Sequence, residues 1–179
     1  CKLLCIVLFV ILLGGGKSQA QSKEVVVYRD YTRQEAALLD SLKREGVMSL
    51  FKGINELKKQ VLGVKESTPV NVKPRREERR KMAPEEIIKR RRESVLTVNK
   101  YLRAMAGPEM VTGWATAVVL SEDGICVTNY HVFWELLDAK VKLNPRDSIM
   151  FVATESGRVY PITEVLSFNR AADMAFFKI

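Results

Sequence analysis

Apolar residues recur along this chain with two different periods, and the change of period divides it. From Thr32 onward they return at three- and four-residue steps, first as Leu38, Leu39 and Leu42, then as Val47, Leu50, Phe51, Ile54, Leu57 and Val61. Such spacing lines one face of a helix, so the two stripes predict two amphipathic helices broken near Gly46. Thr32 and Glu35 stand as a capping box and mark Thr32 as the start of the first. Both helices are expected to pack against each other or against a neighbouring domain. From about Gly113 the runs become short and separated by turns: Ala117 to Leu120, Ile125 to Thr128, Ile149 to Ala153, Val159 to Ile162, and Met174 to Ile179. Strands at this spacing predict an antiparallel barrel or sandwich. The stretch "HVFWELLD", residues 131–138, interrupts them with one or two helical turns. The expected class is α+β, a helical N-terminal region followed by an antiparallel β-barrel.

Two further segments lie outside these patterns. "CKLLCIVLFVILLGGGKSQA" has a lysine beside an apolar run from Leu3 to Leu13, then Ser18-x-Ala20 with small residues at a cleavage site; it predicts a signal peptide ending at Ala20. The run is too short to cross a hydrocarbon core of about 30 Å, so export to the periplasm or cell exterior is expected, with no stable membrane span. A first residue of Cys1 instead of Met implies that the natural N-terminus lies upstream. A β-like run, "KEVVVY", follows at residues 23–28. Residues 66–86, rich in proline and charge, read as a linker, and a basic helix is expected after it. The resulting division is a signal peptide at 1–20, a helical region at 21–65, a basic linker and helix at 66–106, and the β-rich part at 107–179.

The formal charge of +8 is confined to the first part, since residues 107–179 hold more acidic than basic side chains. Residues 73–92 contain ten basic and four acidic residues. Such a run could meet an anionic partner, but Glu85 and Glu86 precede Lys89 and Arg90 by four residues and predict a solvated helix with internal pairs. No aromatics interleave the arginines, so nucleic acid is not an expected partner. Once the leader is removed, Cys126 is the one cysteine left, and His131 is the one histidine in the chain. No internal disulfide and no zinc site of the usual ligand number can be built from these, and no metal or cofactor is expected. Cys126, inside an alternating run, reads as a small buried hydrophobe.

The surroundings of His131 carry the chemistry. "TGWATAVVLSEDGICVTNYHV" followed by "SGRVYPITEVLSFNRAADMAFFKI" resembles the first half of a trypsin-like serine protease domain of the HtrA/Deg type. The matching residues are Asp123-Gly124, Thr128-Asn129-Tyr130-His131-Val132, Gly157-Arg158, and Asp173-Met174-Ala175 ending in Lys178-Ile179. The chain departs from the family at Ala115-Thr116-Ala117, where Gly-Ser-Gly is common, and "AGPEMVTGW" has no counterpart.

The resemblance implies the first barrel of a chymotrypsin-like double barrel, with His131 as general base and Asp173 as the carboxylate that orients it. A serine hydroxyl is a weak nucleophile at neutral pH, so a base with pKa near 6.5 must take its proton and return it to the leaving amine. The order His then Asp requires the serine to come last. No Gly-x-Ser-Gly occurs among the 179 residues, and Ser156 in "TESGR" reads as a turn residue. The implied protein is an exported serine endopeptidase acting on proteins or peptides, with a homo-oligomer among the assemblies the resemblance allows. Residues 1–179 are expected to be a fragment with two thirds of a triad and no activity of their own. The alternative is a non-catalytic, protease-like binding module that recruits partners through its helices and basic segment. A third reading keeps the fold and places a cysteine as nucleophile.

Overall fold

The computed structural model describes residues 30–73, 80–105 and 107–179. The expected signal peptide, the run at 23–28 and the centre of the basic linker lie outside the described residues.

Helix α1, Tyr31–Leu42, starts two residues earlier than the capping-box reading implies. Asp30 is the N-cap, its Oδ1 accepting from the Arg33 amide at 3.0 Å. Asp is as good a cap as Thr, and Glu35 is engaged elsewhere, accepting from the Gly113 amide at 2.8 Å. Gly46, at φ +77°, supplies the left-handed turn that ends this segment. A 3₁₀ turn at Met48–Leu50 then leads to α2, Ile54–Val61, which is shorter than its apolar stripe suggested. α3, Pro84–Arg91, follows the linker with proline in its first turn, Glu85 and Glu86 near its N-terminus and Lys89 to Arg91 near its end, the arrangement its dipole favours. Arg90 and Glu86 pair at 2.9 Å across one turn.

The helical reading stops there. Val95–Leu102 forms strand β1, so the sheet begins well before the boundary expected at residue 107. Alternation explains it: Leu96 and Val98 are buried on one face while Val95 points outward. β2 covers Met110–Val119, β3 Ile125–Thr128, β4 Asp147–Ala153, β5 Val159–Pro161, β6 Glu164–Asn169 and β7 Met174–Lys178. β1 and β6 were not foreseen from the pattern. All neighbouring strands pair antiparallel, in the order β5-β4-β1-β2-β3-β7-β6. The register of β1 and β2 slips at Val98/Asn99, leaving Trp114 as the extra residue of a bulge.

β5 and β6 are the outermost strands of this order, yet only Ile162 and Thr163 separate them. Three peptide steps reach about 11 Å. A flat seven-stranded sheet would place its edges roughly 29 Å apart at about 4.8 Å per strand. The sheet therefore curls until its two edges meet at one corner, and its concave face encloses the main core: Leu96, Val98, Ala117, Cys126, Met150, Val152, Val165 and Phe177, all nearly inaccessible to solvent. α2 closes the open side, contributing Ile54, Leu57 and Val61 to that same core. Each such side chain is worth about 1.5–3 kcal/mol of burial. Gln60 completes the seam by pairing with the exposed edge of β6, its Oε1 accepting from the Val165 amide and its Nε2 donating to the Val165 carbonyl, both at 2.9 Å. α1 covers the convex face with Leu38 and Leu42 against Tyr101, Val111, Ile149 and Phe151. The helices thus belong to the same folded unit as the strands, and β4 is buried on both faces.

One polar cluster lies within the barrel end. The Lys100 ammonium is buried, 2.9 Å from Glu135 Oε2, 3.2 Å from Asp147 Oδ2 and 3.9 Å from the centre of the Trp114 ring. Lys100→Met is expected to leave the buried Asp147 carboxylate without its cation and to cost about 3–5 kcal/mol in urea unfolding, with Asp147→Asn recovering much of the loss in the double variant. A second prediction concerns two glycines with nearly the same backbone, Gly124 at φ +84° and Gly157 at φ +83°. An added Cβ at Gly124 meets the Ile179 carbonyl oxygen at 2.7 Å, whereas at Gly157 it meets nothing within 4 Å. Gly157→Ala should show the conformational cost alone, about 1–3 kcal/mol. Gly124→Ala should cost clearly more, and equal unfolding midpoints for the two would refute the steric argument.

Candidate active site

β3 ends at Thr128, whose hydroxyl donates to the Thr116 carbonyl at 2.7 Å. Asn129 remains extended, and the chain then turns through a 3₁₀ segment, Tyr130–Val132, into a single helical turn, α4, Trp134–Leu137. Val132, Phe133, Leu136 and Leu137 are buried, so the apolar positions draw this segment onto the end of the barrel. His131 is left on the outer side, its side chain 67% exposed.

Asp173 reaches the same place from the other end of the sequence. β3 pairs with β7, and the last pair of that ladder is Thr128 with Ala175. Continuing both strands past that pair brings residues 129–131 beside residue 173. Asp173 sits in the turn between β6 and β7 at φ +48°, a left-handed conformation that aspartate tolerates better than most side chains. Its carboxylate is bound from three directions. The His131 amide donates to Oδ1 at 3.0 Å, His131 Nδ1 lies 3.1 Å from Oδ1 and 2.9 Å from Oδ2, and Asn129 Nδ2 donates to Oδ2 at 3.1 Å and to the Asp173 carbonyl at 3.3 Å. The amide of His131 is the main reason that this carboxyl titrates below its ordinary 3.8; desolvation opposes it as the next largest effect, and the imidazole and Asn129 add smaller lowering contributions.

An ionised carboxylate can only accept, so the proton between the two groups belongs to Nδ1. The lone pair of the ring is then on Nε2, directed away from Asp173. The arrangement can take a proton at Nε2 and stabilise the imidazolium that results.

Other side chains raised by the sequence lie elsewhere. Ser156 occupies the turn after β4; its hydroxyl donates to Glu93 Oε2 at 2.9 Å and lies 2.9 Å from Thr154 Oγ1. Cys126 is fully buried in the core, and burial pushes its thiol up to about 12, far from a reactive thiolate. Asn129 is a residue whose part the sequence did not assign, although it stands inside the Thr-Asn-x-His motif. Its signal was position: two residues before the histidine, it follows the last residue of a strand whose partner leads to Asp173.

The direction of the Asp173 shift sets a pH dependence. A carboxyl held low in the folded chain adds stability above its ordinary titration range, and that stability disappears as pH falls through the lowered value. The acid limb of stability between about pH 5 and 2 should therefore flatten in Asp173→Asn relative to the parent. Urea midpoints measured across that range check it, and parallel limbs would show that the three hydrogen bonds contribute nothing.

No protein-family model matches the chain, and no curated protein does. Among solved structures, one described as "HtrA-type protease AlgW with decapeptide" is 18% identical, with a TM-score of 0.38, over 55% of this chain and 33% of that one. A serine endoprotease from Yersinia pestis is 24% identical, with a TM-score of 0.32, over 55% of this chain and 30% of that one. This chain spans about a third of the length of each of these two proteins.

Proposed function

We propose that this chain supplies the general base and the orienting carboxylate of an exported serine endopeptidase that acts on proteins or peptides. The observation that supports it is the contact of His131 Nδ1 with the Asp173 carboxylate at 2.9 Å, with the backbone amide of the same histidine bound to the other oxygen. Two bonds to one carboxylate define both the tautomer and the tilt of the ring. A surface ion pair of lysine or arginine would need neither.

In the proposed mechanism, His131 Nε2 removes the proton of a serine hydroxyl as its oxygen attacks the scissile carbonyl carbon. Asp173 holds the imidazolium while the tetrahedral intermediate persists. The proton then passes from Nε2 to the leaving amine, the C–N bond breaks, and an acyl-enzyme remains. Water, activated by the same nitrogen, releases the acid product and restores the serine. The serine and the oxyanion donors come from outside residues 1–179, because the His-then-Asp order requires the nucleophile last. Export rests on the Ser18-x-Ala20 site of the leader.

The test is to express the reading frame through and beyond the codon for Ile179, and to measure hydrolysis of an unstructured protein substrate together with labelling by a fluorophosphonate. The extended chain should hydrolyse and be labelled, and residues 21–179 alone should do neither. In the extended chain, His131→Ala and Asp173→Asn should each lower kcat by roughly 10⁴ or more. Hydrolysis that survives His131→Ala would overturn the proposal.

A further inference from the structure

We infer that the stretch Lys58–Ser67, which precedes every described strand of the barrel, positions both members of the His131–Asp173 pair. The inference rests on the reading of those residues as a base and its orienter. The β3–β7 ladder ends at Thr128 and Ala175, so it does not itself determine how the histidine turn lies against the aspartate turn. Both turns carry exposed side chains, and their separation depends on what holds each from behind.

The histidine turn is held by Lys58. This residue lies on α2, and its ammonium donates to the carbonyl oxygens of Glu135 at 2.6 Å, Asp138 at 2.8 Å and Val141 at 2.7 Å. An ammonium has three donors, and all three are used. Glu135 and Asp138 lie at the end of α4, where a helix leaves carbonyls without partners and where a cation is favoured. His131 is four residues before Glu135, about one turn away. The Glu135 side chain is anchored separately by Lys100, so this turn is gripped through both main chain and side chain.

The aspartate turn is held by Glu66 and Ser67. The Ser67 amide donates to the Phe168 carbonyl at 2.8 Å, and Glu66 forms a parallel bridge with Phe168 on the free edge of β6. Glu66 Oε1 accepts from the Arg170 amide at 2.8 Å. Ser67 Oγ accepts from Asn169 Nδ2 at 3.0 Å, and Asn169 Oδ1 in turn accepts from the Ala172 amide at 2.8 Å, one residue before Asp173. Ser67 does this at φ +58°, a left-handed conformation that costs on the order of 1–3 kcal/mol in a residue other than glycine. Between the two grips, Gln60 pairs with Val165 and the apolar face of α2 is locked into the core. One element thus spans the backs of both turns, and Lys58, Glu66 and Ser67 are positioning residues.

His131 is the one histidine, so a long-range proton–nitrogen spectrum of this chain reports its tautomer without ambiguity. It is recorded at about pH 8.5, above the ordinary titration range of a free imidazole. The parent should show the Nδ1–H form, and Asp173→Asn should lose it, because a carboxamide can offer a donor where the ring needs an acceptor. Lys58→Met and Glu66→Ala should each move the spectrum toward that of Asp173→Asn, Lys58→Arg should restore the parent signal, and Gly157→Ala, a destabilising change elsewhere, should leave it unmoved. The amide spectrum of β1 and β2 gauges folding; should Lys58→Met not fold, Glu66→Ala decides. Parent-like spectra in Lys58→Met and Glu66→Ala, beside a changed Asp173→Asn, overturn the positioning role and leave the base–orienter reading in place. An unchanged spectrum in Asp173→Asn would remove that reading itself, and the positioning role with it.

Discussion

The two residues between β5 and β6 impose the condition on which the molecule depends. They join the first and last strands of a seven-stranded order, and a chain that short forces the sheet to curl. Curling creates an inside, and the inside is where Cys126, Phe177 and Val152 meet. It also leaves a seam, since among the described strands β5 pairs with β4 alone and β6 with β7 alone. The segment from Lys52 to Thr68 answers that need. Lys52 donates to the Thr163 carbonyl at the corner, Gln60 satisfies Val165, and Ser67 binds Phe168. An unpaired strand edge is a hazard for aggregation as well as a cost in hydrogen bonds, and this segment covers it.

Charge is distributed according to the same geometry. Inside, Lys100 is admitted only because two carboxylates and an aromatic face surround its ammonium. Outside, Glu86 binds Arg80 and Arg90, while Glu93 accepts from Arg158 and Ser156 near the hairpin after β4. Exposed pairs of this kind contribute about 0–1 kcal/mol each. The Glu86 pairs offset part of the positive charge of the described residues of the basic segment.

The His131–Asp173 pair combines cost with compensation. Asp173 adopts a left-handed backbone, and its carboxylate gathers the His131 amide, the imidazole and the Asn129 carboxamide. The strain places the carboxylate under the ring, and the hydrogen bonds hold it there. Neither turn could do this alone, since each is short, polar and open to solvent.

Much of this was legible beforehand. The α1 and α2 stripes, the turns at Gly124 and Gly157, the burial of Cys126 and the placing of His131 after a strand all follow from local pattern, because side-chain period and turn chemistry act over a few residues. The boundary at 107 did not hold, since the basic run before Val95 masks a strand whose alternation becomes decisive only when β2 and β4 flank it. Likewise Thr32 lost the cap to Asp30 once Glu35 found Gly113, a partner far away in sequence. Sequence by itself determined that one imidazole stands at 131 and a carboxylate at 173, because side-chain identity is fixed by the sequence alone. Tertiary structure alone decided that they touch: their meeting depends on the β3–β7 register and on side chains such as Lys58 and Glu66, whose partners are defined only when the chain has closed on itself.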